Sequence, residues 1–418
     1  MSANWIAFIA SKKSVFQKDS FSSIISKVAV AGIAISVMVM LVSLSILRGY
    51  KNLVKNKMAG FSGHIQLQSM ATSQHYEYEP FLISAKEIKK IKETQGIQSA
   101  YPIIQKACIA KTQNELEGII IKGLMADNDK SFYESIIKTG RLPVSDKNGR
   151  SNEIVISSKL AKALNCDIDS VIRLYFFGKE GLRALAPKIC GIYSTGVEEY
   201  DKSFAIGSYQ DLVSQVIPRD LYKNSVSTQQ LAITHLEIKV NNFNNVDKVT
   251  DQLNGKLSID LKAESIKTLQ GQVFEWLGYL DKNIEIILIL MGLVAAINMI
   301  TAILILIVDS TALIGLLKSL GAIKLSIAQF FIYLALNIVG LGLIIGNFIA
   351  LVLIALQYFF KIIKLNEENY YTDYVPVVFY PLDFFLINLF TLFICILAMY
   401  LPSRYVGKIE AVKALRFK

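Results

Sequence analysis

Charge is what this sequence withholds over long stretches. Of 418 residues, 19% are Asp, Glu, Lys or Arg, against 53% hydrophobic residues, and the mean hydropathy is +0.42. The scarcity is uneven. Residues 50–275 carry a charge every few positions, whereas 284–308, 325–360 and 382–401 are almost uncharged. Helices buried in soluble proteins rarely run so far without charge, which argues against a wholly soluble chain. Histidine and cysteine are also few. His64, His75 and His235 lack helical metal spacing and cysteine neighbours, so no metal site is expected. Cys108, Cys166, Cys190 and Cys395 form no C-x-x-C, and buried, unpaired thiols are expected.

Catalytic signatures are missing too. No G-x-x-x-x-G-K-[ST] occurs, so this chain binds no ATP through a P-loop. Gly60-Phe61-Ser62-Gly63-His64 does not fit G-x-S-x-G and reads as a turn into a strand. Glu198, Glu199 and Asp201 read as a solvated turn. No catalytic residue and no enzyme activity are expected. The net charge of +10 is partly a matter of topology, and no nucleic-acid partner is expected.

What is present is four apolar runs, Val28–Leu47, Ile286–Val308, Leu325–Phe360 and Leu382–Leu401. Each suffices to cross roughly 30 Å of hydrocarbon. The first has no small-residue cleavage site and reads as a retained anchor rather than a signal peptide. The third exceeds the need, so it should tilt, kink at its glycines or project beyond the bilayer. Lys12, Lys13, Lys18 and Lys27 precede the first run, and Arg404, Lys408, Lys413, Arg416 and Lys418 follow the last. By the positive-inside rule both termini are cytoplasmic and 50–275 lies outside. The fold class is therefore a membrane α-helical protein with four transmembrane helices and a large α+β periplasmic domain inserted between the first and second.

The expected organisation begins with a cytoplasmic segment at 1–22, whose Trp5, Ile6, Phe8 and Ile9 suggest an interfacial helix. The first crossing and a stalk occupy 23–58, with a helical stripe of Leu53, Val54 and Met58 running to Gly60. The periplasmic domain spans 59–264. Within it, strands are expected at His64–Gln68, Gly118–Lys122, Glu153–Ser157 and His235–Val240, and helices at Ala85–Lys92, Ser158–Leu164 and Asn245–Leu253. Val171–Phe177 and Lys188–Tyr193 read as paired strands around Gly178–Gly181. A returning stalk and second crossing fill 265–308, where Leu269, Val273, Leu277, Leu280 and Ile284 recur at helical spacing. Then come a cytoplasmic helix at 309–324, the third crossing at 325–360, a periplasmic loop at 361–381, the fourth crossing at 382–401 and a tail at 402–418.

In the 309–324 connection, Leu313, Ile314, Leu317 and Leu320 share one face, with Lys318 on its flank and Gly321 as C-cap. So apolar a helix needs a cover, either the membrane surface or a groove in a partner. Within the crossings, Asn298, Asn337 and Asn347 suggest interhelical hydrogen bonds, and Gly342-x-x-x-Gly346 suggests a dimer face. No charge sits mid-membrane, which argues against an ion-coupled transporter.

Asn298-Met299, Val308 and Ile314-Gly315-Leu316-Leu317-Lys318-Ser319-Leu320-Gly321-Ala322 together resemble the signature of FtsX/MacB-like ABC-transporter permeases. The ending from Tyr400 to Phe417 is similar to that family's closing motif. Phe8–Lys13, Ile25–Ala34, Gly60–Ile65, Ile121–Leu124, Gly191–Tyr193 and Gly196–Asp201 resemble the lipoprotein-releasing (Lol-type) branch. The sequence departs from the pattern at Ser310 and Leu313, at Ala411 and Lys413, and in the short stretch Phe176–Lys188. The resemblance implies a dimer with a second permease copy, identical or paralogous, flanked by ABC ATPase subunits that bind the ATP. This chain itself would bind no cofactor. It also implies the bacterial inner membrane and its lipids, a lipoprotein substrate and a periplasmic lipoprotein carrier. On it, Leu313, Ile314, Gly315, Leu317, Lys318, Leu320 and Gly321 would couple to the ATPase, and Leu44, Leu47, Leu277, Leu280 and Ile284 would line an acyl-chain cavity. Rival readings are a related permease for efflux or for regulating a cell-wall hydrolase, or a non-transporting membrane scaffold.

Overall fold

A computed structural model describes residues 21–71, 78–146, 149–178, 181–366 and 370–406. The interfacial helix expected around Trp5, the residue His75 and the closing motif beyond Val406 lie outside them. The described chain divides into two compact units. One holds the residues up to Lys51, Trp276–Lys364 and those from Tyr374 onward; the other holds Asn52–Glu275 and Leu365–Asp373.

The second unit is built on a sheet of β1 (Ile65–Ser69), β2 (Ile97–Lys111), β3 (Leu116–Leu124), β4 (Ile137–Gly140), β5 (Glu153–Ser157), β6 (Arg173–Gly178), β7 (Gly181–Leu185), β8 (Lys188–Tyr193), β9 (Phe204–Ser208), β10 (His235–Val240) and β11 (Leu261–Ser265). Its order is β11-β1-β10-β2-β3-β9-β5-β8-β4, with β6 pairing to β2 and to β7. The pairs β3–β9 and β5–β8 are parallel and the others antiparallel. Isoleucine, leucine and valine side chains from both faces join one apolar cluster with the short helices around Ile88, Leu160 and Val249. The helix Ala85–Lys92 begins at a capping box between Ser84 and Glu87, which satisfies two backbone donors reciprocally.

Two expectations are corrected here. Val171–Phe177 was expected to pair with Lys188–Tyr193; the two segments meet at an isolated bridge, Val171 opposite Lys188, but β6 pairs along its length with β7, with Phe177 opposite Leu182. At the near ends of the two strands Gly178 stands opposite Gly181, which has φ +102. Lys188–Tyr193 instead enters the sheet beside β5 and β4. The expected solvated turn at Glu198–Asp201 is a helix, Glu198–Ser203. Asp201 within it is buried and accepts hydrogen bonds from Thr195 N at 2.9 Å, Thr195 Oγ1 at 2.7 Å and Gly196 N at 3.0 Å.

The first crossing belongs to α1 (Phe21–Ser62), an unbroken helix of 42 residues. It passes Gly60, where an end was expected, and stops at Ser62 before Gly63 at φ +74. Gly60 serves packing instead, since a Cβ there would lie 2.3 Å from the Phe132 ring. Ala59, Phe61 and Ser62 in the final turn of α1 are buried, and the orphan carbonyls of Phe61 and Ser62 find side-chain donors. Phe61 O accepts from Lys122 Nζ and from Tyr133 Oη at 3.2 Å, and Ser62 O accepts from Gln66 Nε2 at 3.0 Å. Lys122 is 1% exposed and ion-paired to Glu237 at 2.6 Å. The Phe61 ring stacks on Tyr200 at 4.3 Å and meets Phe204 edge-on at 5.2 Å. Burial pulls the Lys122 ammonium below its usual range while Glu237 opposes that shift.

The other unit holds most of α1, then α2 (Gly271–Asp309), α3 (Thr311–Ser319), α4 (Lys324–Phe360) and α5 (Pro381–Val406). Among the described residues four helices are long and apolar enough to cross a membrane, beginning at Ile24, Gly271, Ser326 and Pro381. The Gly342–Gly346 face does not point to a second copy. A Cβ on Gly342 would lie 2.8 Å from Ile33, and one on Gly346 would lie 2.7 Å from Ala34 O. The small residues are spent on letting α4 approach α1 within one chain.

Two outcomes follow. Lys122→Met should destabilise the protein by about 3–5 kcal/mol, because Glu237 loses its buried cation and keeps only the longer contact to His235 Nε2 at 3.4 Å. Lys122→Met combined with Glu237→Leu should recover most of that loss in denaturant unfolding. His64 Nδ1 accepts from Val240 N at 2.9 Å, and burial with nearby Lys239 lowers its pKa to about 4. The unfolded chain binds this proton below about 6.5 while the native state resists it. His64 therefore contributes stability above pH 6.5 that is lost as pH falls toward 4. His64→Asn, which keeps an acceptor, should flatten that part of the stability–pH curve.

Candidate functional site

The short helix α3 turns the chain between the second and third crossings. It closes on Gly321 at φ +83, with Ala322 N donating to Leu317 O at 2.9 Å and Gly321 N to Lys318 O at 3.1 Å. That pair of bonds is a Schellman motif, and it requires a residue at ease in the left-handed region. The apolar face was expected to need a membrane or a partner as cover. It is covered by the chain itself: Ile314 is 1% and Leu317 8% exposed, in one cluster with Ile303, Leu306, Ile327, Phe330 and Phe331, with Leu313 packed against it. Gly315 is buried and Lys318 half-buried. The surface left open is Leu316 at 51%, Leu320 at 66% and Ile323 at 64% exposed, next to Gly321. Four residues spaced at 313, 314, 317 and 320 make a stripe on a helical wheel. A tight C-terminal turn carries Leu320 off that stripe.

The residues expected to line a cavity sit on α1 and α2. Leu47 and Leu277 are buried, while Leu44, Leu280 and Ile284 are half-buried. The two helices are tied beside them. Tyr50 meets the Trp276 ring edge-on at 5.9 Å, and Lys51 is ion-paired to Asp281 at 2.6 Å. Arg48 pairs with Asp383 at the start of α5, also at 2.6 Å. The exposed Lys51–Asp281 pair contributes about 1 kcal/mol or less, so it can open at little cost.

Deeper in the bundle, Asn298 lies against Gly32, where a Cβ would come within 2.4 Å of its amide nitrogen. Asn347 and Asn388 exchange amide hydrogen bonds at 2.7 and 2.9 Å. Each also donates to the carbonyl four residues earlier on its own helix. Asn337 is exposed. Sequence reading singled out Asn347 but not Asn388, and it placed Lys122 and Glu237 in strands without assigning either a role. The signal for Asn388 was available, as a second amide at matching depth in another crossing.

The MacB-like periplasmic core domain family matches residues 26–256, and the FtsX-like permease C-terminal family matches 285–411. The lipoprotein-releasing system transmembrane protein LolC of Neisseria meningitidis serogroup B is 22% identical over 99% of both chains. LolC of Buchnera aphidicola is 25% identical over 93% of this chain and 92% of its own. The crystal structure of the periplasmic region of MacB from Actinobacillus actinomycetemcomitans aligns with 53% of this chain and 97% of its own, at 13% identity and a TM-score of 0.33. The first match covers more than half the sequence and the second falls on the last three crossings. The chain belongs to the FtsX/MacB-like permeases, with a MacB-like periplasmic core domain carried between the first and second of its membrane-crossing helices.

Proposed function

We propose that this chain is the transmembrane permease subunit of an ABC transporter that extracts lipoproteins from the bacterial inner membrane. The observation that carries the reading is its end-to-end match with LolC, which covers 99% of each chain. Two permease subunits, identical or paralogous, stand with two ATPase subunits that bind and hydrolyse ATP. The permease itself supplies no catalysis. The released lipoprotein passes to a periplasmic carrier.

The physics of the task fits the helices. Exposing an acyl chain to water costs about 0.8 kcal/mol per CH₂, so the cargo needs a continuous apolar path. Leu44, Leu280 and Ile284 offer half-buried apolar surface, and Leu47 and Leu277 would join it once α1 and α2 part. Movement can reach these residues along α1, whose one helix continues into the buried turn at Phe61. Coupling to the ATPase is assigned to the open edge of α3, Leu316, Leu320 and Gly321, since Ile314 and Leu317 are committed to the chain's own core. Sequence alone would choose Leu317 as the residue to test; its burial makes it a stability position.

Leu320→Asp should leave the permease folded and lower ATPase recovery in affinity co-purification about tenfold, a loss of about 1.4 kcal/mol. If the ATPase is retained at wild-type level and lipoprotein release is normal, the coupling assignment is wrong. A photoreactive residue at Ile284 should crosslink acylated lipoprotein in the reconstituted complex, whereas the same probe at lipid-facing Ile344 should not. Equal labelling at both positions would count against a cavity between α1 and α2.

A further inference from the structure

The outer end of α4 exposes more apolar surface than a loop in water should. Tyr358, Phe359 and Phe360 are 65%, 74% and 71% exposed, and the non-helical Ile362 and Ile363 are 62% and 55% exposed. A contiguous patch of this kind marks an interaction surface. Lys361, which ends the helix at φ +47, and Lys364 lie within it and are exposed. Lys361 Nζ sits 4.1 Å from the Tyr374 ring centroid.

Several peptide groups of this turn are paired within the chain. Gln357, itself buried, accepts from Ile363 N at 2.9 Å and donates to Ile363 O at 3.2 Å and Val375 O at 2.9 Å. Lys361 N donates to Gln357 O at 3.0 Å, and Val375 N to Ile363 O at 3.1 Å. Non-helical backbone at membrane depth needs such internal partners.

Depth is set by the returning strand. Ser45 Oγ donates to Val378 O at 2.8 Å, and a Cβ on Gly49 would meet Pro376 O at 2.5 Å. The return therefore runs along α1 where its uncharged stretch Val28–Leu47 gives way to Arg48 and Lys51. That is the boundary between hydrocarbon and headgroups. The patch continues the exposed apolar surface of Phe348 and Val352 lower on α4.

We propose that the turn Tyr358–Lys364 is an interfacial wedge seated in the phospholipid of the outer leaflet. Phe359, Phe360, Ile362 and Ile363 lie among the acyl chains, and Lys361 and Lys364 lie at the phosphates, the usual pairing of aromatic and basic anchors. The assignment holds whatever cargo the transporter carries. The test uses the full chain in phosphatidylcholine vesicles, with Trp5→Phe and Trp276→Phe as background and Ile362→Trp as the reporter. Lipids brominated near the glycerol end of the chain should quench it roughly twofold more than lipids brominated near the methyl end, as expected for burial just below the headgroups. Phe360→Trp in the same background is the second reporter. Bromolipid quenching at either position supports the wedge. Absence of quenching at both overturns it, whether acrylamide then reaches the tryptophan, meaning water, or does not, meaning a protein cover such as a second copy.

Discussion

A helix that ends inside a protein must do something with its last carbonyls, and the periplasmic unit is organised around that necessity. The final turn of α1 carries the negative end of a long helix into an apolar interior. Lys122 meets it from β3, Tyr133 adds a second donor to the same oxygen, and Glu237 from β10 balances the lysine. Each group is tolerable only because the others are there. An isolated ammonium or carboxylate in that place would cost several kcal/mol. Three segments distant in sequence are thereby held to one geometry, with the Phe61 ring packed among Tyr200, Tyr133 and Phe204.

Where local chemistry decides structure, the sequence is readable. The four crossings show as uncharged runs, and Glu153–Ser157 shows as a strand because its buried residues are β-branched and a serine caps the helix that follows. Readability fails where distant contacts decide. β2 is the longest strand, yet Pro102, Gln105 and Lys106 break its pattern, and only its central position between β10 and β3 makes a strand of it. Lys122 closes an apolar strand like any solvent-facing lysine. Its partner, 115 residues away, turns it into a core residue. Asp201 differs, since the Thr195-Gly196 turn that binds it is only five or six residues away but carries no signal in composition.

The membrane unit spends its few special residues on self-packing. Gly342 and Gly346 fit α4 to α1, Gly32 makes room for Asn298, and Gly292 lies against Phe390 and Ile394 of α5. Gly278 and Gly340 are different, with open space where a Cβ would be. The same economy governs α3. Its most apolar face anchors the helix to the bundle, and Leu316 and Leu320 stay exposed beside it.

The amide exchange between Asn347 and Asn388 bears on how the bundle can move. A slide of α4 along α5 by one residue would separate two donors and two acceptors in hydrocarbon, where no solvent can replace them. Rotation of either helix about its axis is opposed in the same way. Such interhelical bonds contribute about 0.6 kcal/mol each on average, and this pair biases the two crossings toward moving together, leaving the seams that α1 and α2 make with them as the cheaper places to rearrange.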